Sequence, residues 1–433
     1  MNIKRIGALT AAGVLAACVS GCDAESAPVG GLSGRLSGQE VEVAGVWSGD
    51  EQEAFEAVLS QFAQDTGASV TYTSSGDDLP TVLQTRVDGQ APPDVAILPQ
   101  PGLIAQFAKA GAAKPLAASV VAEVDAHYAR IWKTLGTVDA TPYAIFFKAA
   151  NKSTVWYNDA LFAEAAVEPP TTVEEFDTVA ATLSDNGIPP MSVGGADGWV
   201  LTDWFENIYL RTAGPDMYDK LSRHEVPWTD PSVRDALTVL RDMLTEQTVA
   251  GGATGALQTD FPTSVSQVFA DPPKAAMVYE GDFVAGVISA STDAEPGVEA
   301  KVFPFPSVGD RSGVVTGGDA AVAFADDEAT TELMKYLASP EAAAVWAERG
   351  GFLSANKDVP VDSYPDELTR EIADQIVEAG EDVRFDMSDL APAAFGATKG
   401  AGSWKHLQDF LADPSDIDAA MAALEADAAK AWS

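Results

Sequence analysis

The segment "GWVLTDWFENIYLRTAG" (Gly198–Gly214) sets two tryptophans five positions apart among acids and apolar residues. On a helix advancing about 100° per residue, Val200, Leu201, Trp204, Phe205 and Ile208 share one continuous apolar face. Trp199, Thr202, Asp203 and Glu206 fall on the opposite, polar side. The spacing therefore predicts Trp204 in the core and Trp199 outside it, with Asp203 one turn further on. An aromatic ring beside a carboxylate can cover an apolar C–H face and accept hydrogen bonds from hydroxyls. The bland alternative is a tryptophan packed against a loop at the helix start.

Groups for covalent or metal chemistry are poorly represented. There is no G-x-S-x-G nucleophile motif and no G-x-x-x-x-G-K-[ST] phosphate loop. The histidines, His127, His224 and His406, are scattered without metal-ligand spacing. No metal and no cofactor is expected.

Stepping along the chain, strand and helix patterns alternate. "VEVAGVWSG" reads as a strand, and "DEQEAFEAVLSQFAQDTG" as a helix with Phe55, Val58, Leu59 and Phe62 on one face and Gly67 as its stop. "ASVTYTSSG" and "PPDVAILPQPG" read as further strands, "DDLPTVLQTRVDG" and "LIAQFAKAG" as helices. "STVWYN", "AAMVYEGDF" and "GGDAAVAFAD" are later strand patterns. "TTVEEFDTVAATLSDNG" opens with a capping box at Thr172 and Glu175. "TDPSVRDALTVLRDML" carries the cap Asp230, Pro231 at the first helical position and a stripe of Val233, Leu237, Leu240 and Leu244. "TTELMKYLASPEAAAVWAERGG" and "SDIDAAMAALEADAAKAW" read as one helix each. Such alternation indicates an α/β fold with mostly parallel sheets, whose ligands meet the loops after strand ends. Those loops hold Trp47 and Ser48 ("VWSGDE"), Asp77 and Asp78 ("SSGDDLP") and Gln100 ("LPQPG"). For each a structural role competes: Trp47 as core packing, Ser48, Asp77 and Asp78 as helix caps.

The first residues, "MNIKRIGALTAAGVLAACVSGC", combine a basic start, a short apolar run and small residues, the pattern of an export signal. The chain's two cysteines, Cys18 and Cys22, both follow small-residue tripeptides that resemble a lipobox. The expectation is a signal peptide over 1–21, lipidation at Cys22 (with Cys18 as the alternative), and a flexible Gly- and Ser-containing linker over 22–39. The formal net charge of −39 argues against nucleic acid, whose phosphates need a basic surface.

Taken in order, "AGVWSGDEQEAFEAVLSQFAQDTG", "PPDVAILPQPG", "YAIFFKAANKSTVWYNDALFAEAAVEPPTTVEEFDTVAATLSDNGIPPM", "AAMVYEGDF" and "GGDAAVAFADDEATTELMKYLASPEAAAVWAERGGFLSANK" resemble the extracellular solute-binding proteins of carbohydrate ABC transporters, the maltose-binding-protein-like family 1. "GADGWVLTDWFENIYLRTAGPDMYDKLSRHEVPWTDPSV" is similar to the α-glucoside-binding branch. The resemblance implies a two-lobed periplasmic-binding-protein-like fold, with a first lobe over 40–148 and 316–353, a second over 149–315 and 354–433, and a ligand cleft between them. It implies a small carbohydrate ligand such as sucrose, maltose or trehalose, with another glycoside, an amino sugar, an oligosaccharide or a polyol as the alternative, permease subunits as partners, a lipid anchor on the outer face of the cell membrane, and a monomer. Trp199 with Asp203 then becomes a stacking platform beside a hydroxyl acceptor. The likeness also nominates Tyr279, Glu280 and Phe283 in "MVYEGDF", Phe283 standing where the family carries a stacking ring. It nominates Gly317, Gly318 and Asp319 in "TGGDAAVAF", where glycine admits a ligand close to the backbone or serves only as a turn, and Trp404 in "GAGSWKHLQDF" as a late aromatic contact. The rival class is a secreted carbohydrate-active enzyme, since acids are numerous, but no motif fixes a catalytic pair.

Overall fold

A computed structural model describes residues 34–379 and 383–433. The expected signal peptide, Cys18 and Cys22 lie outside the described residues. Within the stretch assigned above to the flexible linker, Leu36 is docked: it is buried and its N–H donates to the Thr66 carbonyl at 2.9 Å, while its neighbours at 34–39 are exposed. An apolar side chain in that polar run is what docks it.

Among the described residues, thirteen strands form in chain order: β1 (Glu40–Gly45), β2 (Ser69–Ser74), β3 (Val95–Leu98), β4 (Thr137–Val138), β5 (Thr141–Pro142), β6 (Ala144–Asn151), β7 (Thr154–Asn158), β8 (Met191–Ser192), β9 (Met277–Tyr279), β10 (Ala300–Pro304), β11 (Val314–Ala323), β12 (Leu353–Ser354) and β13 (Val383–Phe385). One sheet runs β12-β6-β11-β3-β1-β2, with β13 also on β11; a second runs β10-β7-β9-β8; β4 and β5 make a small hairpin. Pairing is parallel from β2 through β1 to β3, as the alternating pattern predicts. It is antiparallel where β11 meets β3 and β6, and along β10-β7-β9. The reason is topological: β11 is a long strand that passes from one hydrophobic core to the other, and β6 runs through the first core to hand the chain to the second sheet, rather than closing a β-helix-β unit within one. Val315 on β11 packs in the second core, while Ala320–Ala323 pack in the first. The chain leaves β6 at Asn151 and enters β7, in the other sheet, at Thr154.

Helix starts follow the local chemistry. Phe55, Val58, Leu59 and Phe62 are buried on the helix Gly49–Thr66, which ends at Gly67 with φ 82°. The Thr172 side chain accepts from the Glu175 N–H at 3.2 Å, and Asp230 from Ser232 N–H at 2.9 Å. Replacing Asp230 with Ala should cost about 1 kcal/mol of stability, read as a lower urea midpoint with an unchanged slope. The single helix read in "TTELMKYLASPEAAAVWAERGG" is in fact two, Glu328–Leu337 and Pro340–Ala347. Pro340 has no N–H to continue the first, and the Ser339 side chain caps the second.

The helix Trp199–Ala213 confirms one half of its wheel and corrects the other. Trp204 is 1% exposed, edge-on to Tyr279 at 4.7 Å and Phe305 at 5.6 Å. The polar side is buried as well: Thr202, Asp203 and Glu206 are shut from solvent. The segment after β13 covers them, with the Ser388 N–H donating to Glu206 Oε1 at 2.9 Å. A wheel reports polarity, and polar residues stay inside when donors satisfy them. Among the described residues, no helix is long and apolar enough to cross a membrane.

Candidate ligand-binding cleft

A cleft of about 550 Å³ opens where β6 and β11 cross between the cores. The loops after β1, β2 and β3 supply Trp47, Ser48, Asp77 and Gln100. The second group of elements supplies Trp199, Phe261, Phe283 and Trp404. The floor comes from β6 and β11. The two-residue period of a strand turns Lys148, Ala150 and Lys152 to the same side, and Gly318 and Asp319 lie beside them.

Three rings gather at one end: Trp199 to Phe261 at 5.3 Å, Trp199 to Phe283 at 6.2 Å, and Phe261 to Phe283 at 5.4 Å. Trp404 reaches the start of the Trp199 helix because position 198 is glycine; a Cβ there would stand 2.6 Å from that of Trp404. Trp47 lines the cleft but is nearly buried, with its ring 4.7 Å from Trp346 and 4.8 Å from Phe55, so it also packs the core. Ser48 occupies the N-cap position of its helix without making the side-chain cap bond, contrary to the role favoured for it by position.

Other nominated residues are absent from the lining. Asp78, at the N-cap position of the helix Leu79–Asp88 but without a side-chain cap bond, is exposed. Tyr279 is buried, with its hydroxyl donating to the Lys152 carbonyl at 2.9 Å. Gly317 leaves room for a lysine stem, since a Cβ would meet Lys152 Cε at 2.9 Å. Asp203 and Glu280 are fully buried around the Lys152 ammonium.

That ammonium organises the site. It pairs with Asp386, lies 3.2 Å from Asp203 Oδ2 and 3.7 Å from Asp389 Oδ2, and sits 5.8 Å from the Trp199 ring centroid. Burial favours its neutral form, but the surrounding carboxylates outweigh that and raise it well above the ordinary lysine value. Burial would likewise push Asp386 up, yet Lys152 and its hydrogen bonds hold it at about 2. Its neighbours go the other way: burial drives Asp203, Glu206 and Asp389 well up, and Glu280 up to about 8. Among the described residues, the groups nearest the Glu280 carboxyl are Asp203 and the Gly281 N–H, and neither makes a full hydrogen bond to it. Asp203, Glu206 and Asp386 bring carboxylate oxygens within 4.8 Å of one another, close enough for a metal ion. Lys152 already supplies the countercharge there, and the Glu206 and Asp386 oxygens accept from Ser388, Tyr218, Asp389 and Lys152.

A pH dependence follows. Glu280 has its folded pKa raised from 4.5 to about 8, so the folded state holds the extra proton between those values. Its contribution to stability is complete below about pH 4.5 and is lost as pH rises through about 8, with a slope of at most about 1.4 kcal/mol per pH unit. Glu280→Gln, which keeps the neutral shape, should therefore shrink the loss of melting temperature between pH 5 and pH 8. A steeper loss in the variant would overturn this.

Residues missed in the sequence include Lys148, Lys152, Asp197, Phe261, Ser388 and Asp389, all in the lining. The two lysines left a signal, being charged residues two apart from a common alanine in an otherwise apolar strand. Asp197 accepts from the Phe261 N–H at 2.7 Å and so fixes that ring's loop; no local pattern predicts such a contact.

Residues 48–344 match the family model of the bacterial extracellular solute-binding protein. An osmoprotective compounds-binding protein of Synechocystis sp. is 36% identical over 389 residues, spanning 88% of this chain and 90% of that one. An alpha-glucosides-binding periplasmic protein of Rhizobium meliloti is 33% identical over 415 residues, spanning 92% and 88%. Among solved structures, a bacterial solute receptor described as exclusive for β-D-galactopyranose superposes with a TM-score of 0.80 at 20% identity, covering 91% of this chain and all (100%) of that one. A chitin oligosaccharide binding protein gives 0.78 at 18%, covering 92% and 99%. These structural likenesses establish the two-lobed fold.

Proposed function

The chain belongs to the bacterial extracellular solute-binding proteins, a family of receptors and not of enzymes, and from that premise we propose that it is the sugar receptor of an ABC importer. Its ligand is an α-glucoside-type sugar, held in the cleft and delivered to the permease. The observation that carries this is the pairing of an aromatic cluster with unsatisfied polar groups across one cavity. Trp199, Phe261 and Phe283 offer ring faces, while the Gln100 side-chain carbonyl and the Trp404 indole N–H are buried without partners among the described residues. A pyranose supplies what each lacks: C–H faces, hydroxyl donors and hydroxyl acceptors. The relative from Rhizobium meliloti, named for alpha-glucosides, supports this choice of sugar. The Synechocystis relative, named for osmoprotective compounds, favours a second reading in which the ligand is a glycosylated osmolyte or polyol.

Further proposals attach to this one. The lobes divide at 40–148 with 316–353, and 149–315 with 354–433. The protein is exported and anchored through a lipid on Cys22, or alternatively Cys18. Binding works by closure: a sugar touching both walls binds the closed form better and shifts the population toward it.

Calorimetric titration with sucrose, maltose, trehalose and a glucosylated polyol tests the reading. Saturable binding of at least one without product is expected. Hydrolysis would sink the receptor reading, and silence from all four would sink the sugar class. Trp404→Phe keeps a ring but removes the N–H, and should weaken the bound sugar about three- to tenfold. Unchanged affinity would remove the indole from the contacts.

A further inference from the structure

We infer that the cleft discriminates by charge, accepting uncharged polyhydroxy ligands and rejecting anionic ones, because carboxylates of the protein already hold both of its cations. This rests on the sugar-receptor reading and adds a selectivity to it. Among the described residues, Lys148 and Lys152 are the cations in the cleft lining. Lys148 pairs with Glu51 and faces Asp319 and Asp282. Lys152 pairs with Asp386, with Asp203 at 3.2 Å and Asp389 at 3.7 Å. Both ammonium groups stay charged, yet each has more carboxylates around it than its single charge neutralises. Lys399, close to the rim, is half exposed and lies 4.0 Å from Asp77.

A ligand carboxylate or phosphate has two ways in, and both are costly. It could displace a carboxylate from one of the lysines, which strands a buried acid without its countercharge. It could sit beside the existing pairs, where the ionised Asp319 and Asp386 add like-charge repulsion in a partly desolvated site. A hydroxyl meets neither obstacle. It donates to the surplus acceptors and leaves the ion pairs intact. The lysines therefore work as internal counterions that keep the acceptors in place, and they are not hooks for an anion. Asp319 shows the same balance: burial, with Glu51 nearby, lifts it to about 6 even with Lys148 alongside.

Two matched pairs test the inference: methyl α-D-glucoside against methyl α-D-glucuronide, and maltose against maltobionate, titrated calorimetrically at pH 7.5 and low salt. For whichever neutral member binds, its acid should bind at least about 100-fold more weakly. Asp319→Asn removes one negative charge beside Lys148, since its carboxyl, lifted to about 6, is ionised at pH 7.5, so the ratio of neutral to anionic affinity should shrink several-fold, whatever happens to the absolute affinities. An acid binding within threefold of its neutral partner overturns the charge selectivity and leaves the sugar reading standing. An unchanged ratio in Asp319→Asn overturns the assignment to the acids around Lys148. Failure of all four to bind, while sucrose and trehalose also fail, overturns the sugar reading and this inference with it.

Discussion

Lys152→Met is expected to destabilise the folded protein by about 3–5 kcal/mol at neutral pH, because it removes the cation from a buried group of carboxylates. Methionine keeps most of the stem's volume, so the loss is electrostatic and not a cavity. The cost should depend on pH with a definite sign. Asp386 is held at about 2 in the folded state, against an ordinary 3.8. Such a depressed carboxylate contributes stability above pH 3.8 that disappears as pH falls toward 2. Without Lys152 that contribution is gone, so the gap between variant and native protein should be large at pH 7 and should narrow below pH 4. Urea unfolding at pH 3.5, 5 and 7 measures it. A gap independent of pH would mean that the stem, and not the charge, carries the effect.

The second large effect concerns the ligand. Trp199→Ala should weaken sugar binding by about 100-fold or more, the scale of losing a central aromatic anchor. Trp199 is only partly buried: it leans on the second core and meets Phe261, Phe283 and the Lys152 ammonium at the cleft. The variant's melting temperature should therefore fall less than on truncating the fully enclosed Trp204. Trp204, five positions on, is the contrast: it is enclosed by Tyr279 and Phe305 and has no part in the lining. Titration and a thermal melt of the Trp199 variant separate the roles. Undiminished affinity would end the stacking assignment, and a large thermal loss would make the ring structural.

Much of the cleft's first wall could be read locally. Trp47, Asp77 and Gln100 follow three strands that pair in parallel, and parallel strands leave their carboxyl-end loops together. The opposite side could be read only in part. Trp199, Phe283 and Trp404 stood out as aromatics in polar or Gly-rich settings, whereas Phe261 and Asp389 sit in stretches that look like any helix start. Asp203 and Glu280 were chosen for their chemistry and lie behind the lining, because charge type does not reveal on which side of a wall a residue stands.

What the sequence determined by itself is periodic or short-range: the apolar faces, the caps at Thr172 and Asp230, the stop at Gly67, and the break that Pro340 was bound to make. These depend on residues within a turn or two of each other. What tertiary structure alone decided is the electrostatics. Lys152 meets Asp203 across 51 positions and Asp386 across 234. No window on the chain contains that group, and its protonation depends on burial that exists only when both cores have closed around β6 and β11.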